Sequence, residues 1–188
     1  MNNPTGITCD KHLLNIIAER LGCDCISSLK LPQYRERALC ELRNGQFDRL
    51  NKKEIYETII YLDPPLQTLL FGTEADKQLL WEWQSGQEFF ADVILCGTYD
   101  EYVAALQEDA YQLYICMVDG DVGFETVKAA RTHCPGKPMM WFPVNNDHTL
   151  KTFRYGCVLC ATQEKMNTMH LIWAIDRCRM KLHGFECN

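Results

Sequence analysis

The residues best placed for chemistry are two acids, Asp119 and Asp121, which come directly after the apolar run Leu113-Tyr-Ile-Cys-Met-Val118. That run is too short for a buried helix and stops in Asp119-Gly-Asp-Val-Gly123, the pattern of a central buried strand passing into a loop. In an open parallel sheet the carboxyl ends of the strands face the crevice where ligands bind, so both acids are expected at that edge. Other chemistry is poorly supplied. The only serines are Ser27, Ser28 and Ser85, and there is no G-x-S-x-G elbow. His133 and Cys134 are neighbours at a helix end, which implies no base–nucleophile pair, and His148 and His170 read as a helix-start and a helix-face residue. No G-x-G-x-x-G or G-x-x-x-x-G-K phosphate cradle occurs. The eleven cysteines lie mostly in apolar periodic segments, where a thiol behaves as a small hydrophobe. Cys23-Asp-Cys25, Cys157-Val-Leu-Cys160 and Cys9-x-x-His12 are the close pairs, and none has the paired spacing of a structural zinc site. Neither a metal nor a cofactor is expected.

The elements that must position Asp119 and Asp121 can be read from hydrophobic periodicity. Residues 1–64 predict a helical module. Its first helix runs from Asp10 to Gly22 on a face of Leu13, Leu14, Ile16, Ile17 and Leu21. A loop from Cys23 to Leu31 leads to a second helix, opened by Pro32, carrying Tyr34, Ala38, Leu39 and Leu42, and closed by Asn44-Gly45. A third starts at Asn51 with Glu54 completing a capping box, buries Ile55, Ile59 and Leu62, and ends at Asp63-Pro64-Pro65. Residues 65–188 then alternate. Strands are predicted at Leu66–Phe71, Val93–Cys96, Leu113–Val118, Pro138–Val144 and Cys157–Ala161, with a helix after each: 74–84, one carrying Tyr102, Val103, Ala105 and Leu106, then about 123–133, 147–155 and about 164–182. The helices after the first two strands each open with a threonine and an acid three residues on, Thr73/Asp76 and Thr98/Glu101, a second and third capping box. Met169, Ile172, Trp173 and Ile175 are the expected face of the last helix. Strand–helix alternation with short connections makes a five-stranded parallel sheet covered on both sides, an α/β doubly wound, flavodoxin-like domain.

Composition bounds the partners. A chain of 188 residues with 47% hydrophobic and 23% charged residues is expected to fold, with no apolar run near the about 20 residues of a membrane span. Met1-Asn-Asn-Pro-Thr5 lacks the basic start and apolar core of a signal peptide, so a cytoplasmic protein without membrane contact is expected. Net charge is −6; residues 1–64 hold 9 Lys+Arg and 9 Asp+Glu, against 10 and 16 in residues 65–188. A broad basic nucleic-acid footprint is absent.

From residue 66 to about 182, element order and element length, together with the run Gln112-Leu-Tyr-Ile-Cys-Met-Val-Asp119, resemble the receiver domain of bacterial response regulators. The resemblance implies a phosphoacceptor aspartate after strand three, Mg²⁺-holding acids after strand one, a Ser/Thr after strand four and a lysine after strand five. Each role has decayed in this chain. The acid pair falls on Gly72 and Thr73 with Glu74 one place late, and the acceptor position falls on Met117 with Asp119 two residues on. Pro143 replaces the Ser/Thr, and Ala161-Thr162-Gln163 stands where the lysine belongs, with Lys165 beyond. A trianionic phosphoryl group needs a divalent cation and a basic side chain around it. The expected pocket is therefore degenerate, with Asp119, Gly120 and Asp121 making a turn that caps the next helix.

This reading predicts a non-enzymatic signalling or regulatory protein that acts through protein partners by a phosphorylation-independent, receiver-like domain. A second reading makes the helical module a DNA-binding unit using Lys30, Arg35, Arg37, Arg43, Arg49, Lys52 and Lys53, set against Glu36, Glu41, Asp48 and Glu54. A third is an inhibitor or adaptor of a host protein, encoded by a mobile element. The last helix carries more apolar residues than one stripe needs. With Phe153 and Tyr155 nearby and a rim of Arg177, Arg179 and Lys181, that surplus fits a homodimer interface; alternatively the N-terminal helices cover it within one chain.

Overall fold

Two consecutive prolines, which can neither continue a helix nor donate backbone hydrogen bonds, mark where the chain divides into two units, Met1–Pro64 and Pro65–Asn188. The computed structural model describes residues 11–47, 50–86, 88–145 and 155–184.

In the first unit α1 (Lys11–Leu21) buries Leu13, Leu14, Ile17, Ala18 and Leu21, and Gly22 ends it at φ +72°. Ile16, expected on that face, is 43% exposed, because the buried stripe runs along 13-14-17-18-21 and leaves Ile16 on its flank. The expected loop Cys23–Leu31 contains a 3₁₀ turn, Ile26–Lys30, with Leu29 fully buried. Helix α2 (Pro32–Arg43) buries Ala38, Leu39 and Leu42. Helix α3 (Lys52–Leu62) opens with the expected capping box: Asn51 Oδ1 accepts from the Glu54 amide at 3.0 Å, and Glu54 Oε2 accepts from the Asn51 amide at 2.8 Å. It buries Ile59, Ile60 and Leu62, while Ile55 is only half-buried. Arg20 ties α1 to α2 and to the turn beyond it, pairing with Glu41 at 3.0 Å, donating to the Gln46 carbonyl at 2.8 Å and lying over the Phe47 ring.

The second unit is a five-stranded, all-parallel sheet in the order β2-β1-β3-β4-β5, a flavodoxin-like α/β fold. The strands are β1 (Leu66–Phe71), β2 (Phe90–Cys96), β3 (Leu113–Cys116), β4 (Met139–Trp141) and β5 (Leu159–Cys160). The helices are α4 (Glu74–Gln84), α5 (Tyr99–Leu106), α6 (Gly120–His133) and α7 (Thr168–Leu182). Alternate strand residues serve opposite cores. Leu70, Ile115, Met117, Met140 and Phe142 pack with Leu80 and Trp83 of α4 and with Leu171, Ala174, Ile175 and Cys178 of α7. Leu69, Phe71, Tyr114, Cys116, Met139 and Trp141 pack with Tyr102 and Leu106 of α5 and with Val127 and Ala130 of α6. A sheet buried on both faces explains why β3 reads as an unbroken apolar run rather than an alternating one.

Several boundaries differ from expectation. β2 begins three residues earlier than predicted, whereas β3, β4 and β5 are shorter, because pairing stops where the chain turns toward its helices. α6 starts at Gly120 rather than near Gly123, entered through Gly120 at φ +65°, a conformation that costs glycine little. The last helix starts at Thr168, not near Glu164. A 3₁₀ turn, Gln163–Lys165, comes first, and Asn167 then caps α7 by accepting from the His170 amide at 3.0 Å. Met169 and Trp173, expected on the face of that helix, are 71% and 47% exposed, while Arg179, expected at the rim of an apolar interface flank, is 2% exposed. Arg177 does lie on the exposed flank, stacked 4.5 Å over the Trp173 ring. The predicted helix 147–155 falls, except for Tyr155, outside the described residues, as do His148 and Phe153.

Candidate functional site

In this strand order β2 and β3 lie on opposite sides of β1, so the switch point of the topology lies between the carboxyl ends of β1 and β3. A ligand crevice belongs there. The chain closes it with its own side chains.

Gln163, directly after β5, is the central residue. Its backbone amide donates to the Pro143 carbonyl at 2.9 Å, which sets the side chain over the strand ends. The side-chain Nε2 then faces three acceptors: the Phe142 carbonyl at 3.1 Å, the Met117 carbonyl at 3.3 Å and Asp76 Oδ1 at 3.4 Å. One neutral amide thus joins the ends of β3 and β4 to the first turn of α4 at the switch point. With two hydrogens for three acceptors one of these contacts is shared, and a full bond of this kind contributes about 1 kcal/mol net.

The acids of the edge are committed in the same way. Thr73 caps α4 as expected: its hydroxyl accepts from the Asp76 amide at 3.2 Å, and Asp76 Oδ2 takes the Thr73 amide at 2.8 Å and hydroxyl at 2.7 Å. Gly72 is buried against Asp76; a Cβ on it would come within 3.0 Å of Oδ2. Glu74 is an exposed residue in the first turn of α4. Met117 contributes only its carbonyl to the edge, its side chain being 3% exposed within the α4/α7 core.

Asp119 corrects an expectation. It is the N-cap residue of α6, yet its side chain makes no capping bond. Its carboxylate accepts instead from the amides of Val144 and Asn145, the latter at 3.3 Å, and from Asn145 Nδ2 at 3.0 Å. The acid after β3 therefore anchors the segment after β4. Asp121 stands apart on the exposed first turn of α6, and Pro143 and Thr162 are buried. Among the described residues no three His, Cys, Asp or Glu side chains converge as a metal site.

The chain matches no protein-family model and no curated protein. What its sheet edge does rests on the residues themselves.

The basic residues of the first unit are largely engaged within it. Lys30 lies 4.5 Å over the Tyr61 ring; Arg35 pairs with Glu36 at 3.7 Å, Arg37 with Glu41 at 3.3 Å and Lys53 with Glu57 at 3.6 Å. Arg43 is exposed in the last turn of α2, Lys52 is the first residue of α3, and Arg49 lies outside the described residues. The close thiol pairs differ from one another. Cys157 and Cys160 are buried, and burial pushes the Cys157 thiol up to about 12. Cys25 is exposed, with Ser27 Oγ at 2.9 Å and Ser28 Oγ at 3.3 Å; these hydroxyls bring its thiol down to about 7.

A second feature is not apparent from the sequence. An open groove of ≈ 410 Å³ is lined by Tyr99 at the start of α5 and by Asp121, Val122 and Glu125 in the first turns of α6. Tyr99 is 38% and Val122 52% exposed, whereas the aromatics Tyr102 and Trp141 are fully buried. The signal that could have marked it is Val122, whose neighbours three and four positions on, Glu125 and Thr126, are polar, but its pairing with Tyr99 depends on α5 and α6 packing side by side.

Proposed function

We propose that the protein is a non-enzymatic regulatory protein of the cytoplasm whose receiver-like domain acts through protein contacts, independently of phosphorylation. The observation that supports this is Gln163. Its amide spans the ends of β3, β4 and α4, where a phosphoryl-transfer site requires a lysine and a cation. Asp119, the acid nearest the acceptor position, spends both carboxylate oxygens on Val144 and Asn145. To act as an acceptor it would have to release those donors and find a divalent cation, with Asp76 already bound to Thr73 and Gln163. A fold that keeps its sheet while its crevice is laced shut retains its outer surfaces as the means of acting.

Incubation with Mg²⁺ and acetyl phosphate tests the reading by intact-mass measurement. No acid-labile adduct is expected. A stoichiometric adduct that disappears in Asp119→Asn would refute phosphorylation independence.

A further inference from the structure

We propose that the groove between the first turns of α5 and α6 is a docking site for a segment of a partner protein that presents a lysine or arginine beside an aliphatic or aromatic residue. The proposal rests on the protein-contact reading above and specifies the surface and the chemistry it selects.

The apolar half of the recognition comes from Tyr99 and Val122. Both line the groove and both are substantially exposed, although Tyr102 and Val127 on the same two helices satisfy the core. Covering a half-exposed valine and the open part of a tyrosine ring recovers hydrophobic free energy that folding alone leaves unused. At ≈ 410 Å³ the groove admits a few side chains and not a folded element.

Charge decides which apolar segment fits. Two helix N-termini meet here, and their dipoles alone would favour an anion. The side chains reverse that sign. Asp121 and Glu125 of α6 line the groove, and Asp100 and Glu101 follow Tyr99 in the first turn of α5; all four are exposed, with Glu101 Oε2 taking the Gly97 and Thr98 amides. The one base in α5 and in α6 up to residue 128 is Lys128, and it pairs with Glu125 at 2.7 Å. Along these two helix starts the acids outnumber the bases four to one, a balance that disfavours phosphate and nucleic acid and attracts a cationic side chain. The surrounding residues 65–188 carry the chain's entire acidic excess, 16 acids to 10 bases. The closed crevice is beside this groove in the topology, so the partner meets the rim of the sheet rather than a ligand pocket.

Selection of displayed random peptides of about twelve residues on the intact protein tests this. The enriched sequences should join Lys or Arg to Leu, Ile, Phe or Met within a turn. A synthetic copy should bind with an affinity that falls as salt rises, and that drops about tenfold in Val122→Ser and in Glu125→Lys. Both positions are exposed, and unchanged thermal melts would establish that the variants fold. Enrichment of acidic or uncharged peptides, no enrichment, or a basic peptide indifferent to both substitutions would overturn the proposal. Those outcomes leave the phosphorylation-independent reading standing, since only an adduct on Asp119 removes it.

Discussion

Replacing Asp176 by asparagine should remove a large part of the pH dependence of stability between pH 4 and 8. Asp176 is 8% exposed on α7, and its Oδ1 has no hydrogen-bond partner among the described residues. Burial raises its carboxyl from 3.8 to about 7, with the Arg179 guanidinium opposing the shift. The native state then binds a proton that the unfolded chain has already released. Stability contributed by this group is therefore fully present below the unfolded value and is lost as pH rises through the native one. A displacement of about three pH units at about 1.36 kcal/mol each gives a loss of about 4 kcal/mol between pH 4 and pH 8. Urea unfolding of the wild type and Asp176→Asn, monitored by the fluorescence of the four tryptophans, measures it. The stability of the variant relative to the wild type should rise by about that amount across the interval. The altered environment of Arg179 adds an offset that does not change with pH. Parallel stability curves for the two proteins from pH 4 to 8 would refute the reasoning.

Gly123→Ala should destabilise the second unit by about 1–3 kcal/mol, because a Cβ there would lie 2.0 Å from the Val118 carbonyl and 2.9 Å from Trp141 Nε1. It would also disturb the 2.8 Å bond from Trp141 Nε1 to Val118. Gly136→Ala, with nothing within 4 Å, should leave the unfolding midpoint unchanged and is the control. Cys25 should be the described thiol that iodoacetamide modifies first at pH 7, since its Ser27 and Ser28 hydroxyls hold the thiol near 7 while burial holds Cys116 and Cys157 near 12. The double variant Ser27→Ala, Ser28→Ala should slow that labelling by roughly tenfold or more, read by peptide mass mapping.

Local signals in the chain sufficed for much of this molecule. The three capping boxes at Asn51, Thr73 and Thr98 are written in residues three apart, and all three form as predicted. The inner strands β1, β3 and β4 are visible because a sheet covered on both faces demands continuous apolar runs, and strand–helix alternation with short connections leaves a parallel, doubly wound sheet as the arrangement. That Ala161-Thr162-Gln163 brings no lysine to the end of the fifth strand was also legible, but what the glutamine does was not. Its three acceptors come from residues 21, 46 and 87 positions away, and only the closed sheet brings them to one amide. Asp119 shows the limit in the other direction: by local rules it caps the next helix, yet β4, adjacent to β3 in the sheet, leads into two backbone amides and an asparagine that compete for the same carboxylate. In α7 the period alone placed Met169 and Trp173 inward and Arg179 outward, and packing chose the reverse, because the sheet admits one stripe and the helix offers more apolar residues than that stripe holds. Sequence determines which elements form wherever the partners lie within a turn or two; which polar groups meet, and which apolar surface is left over, is decided by neighbours that only the tertiary fold assembles.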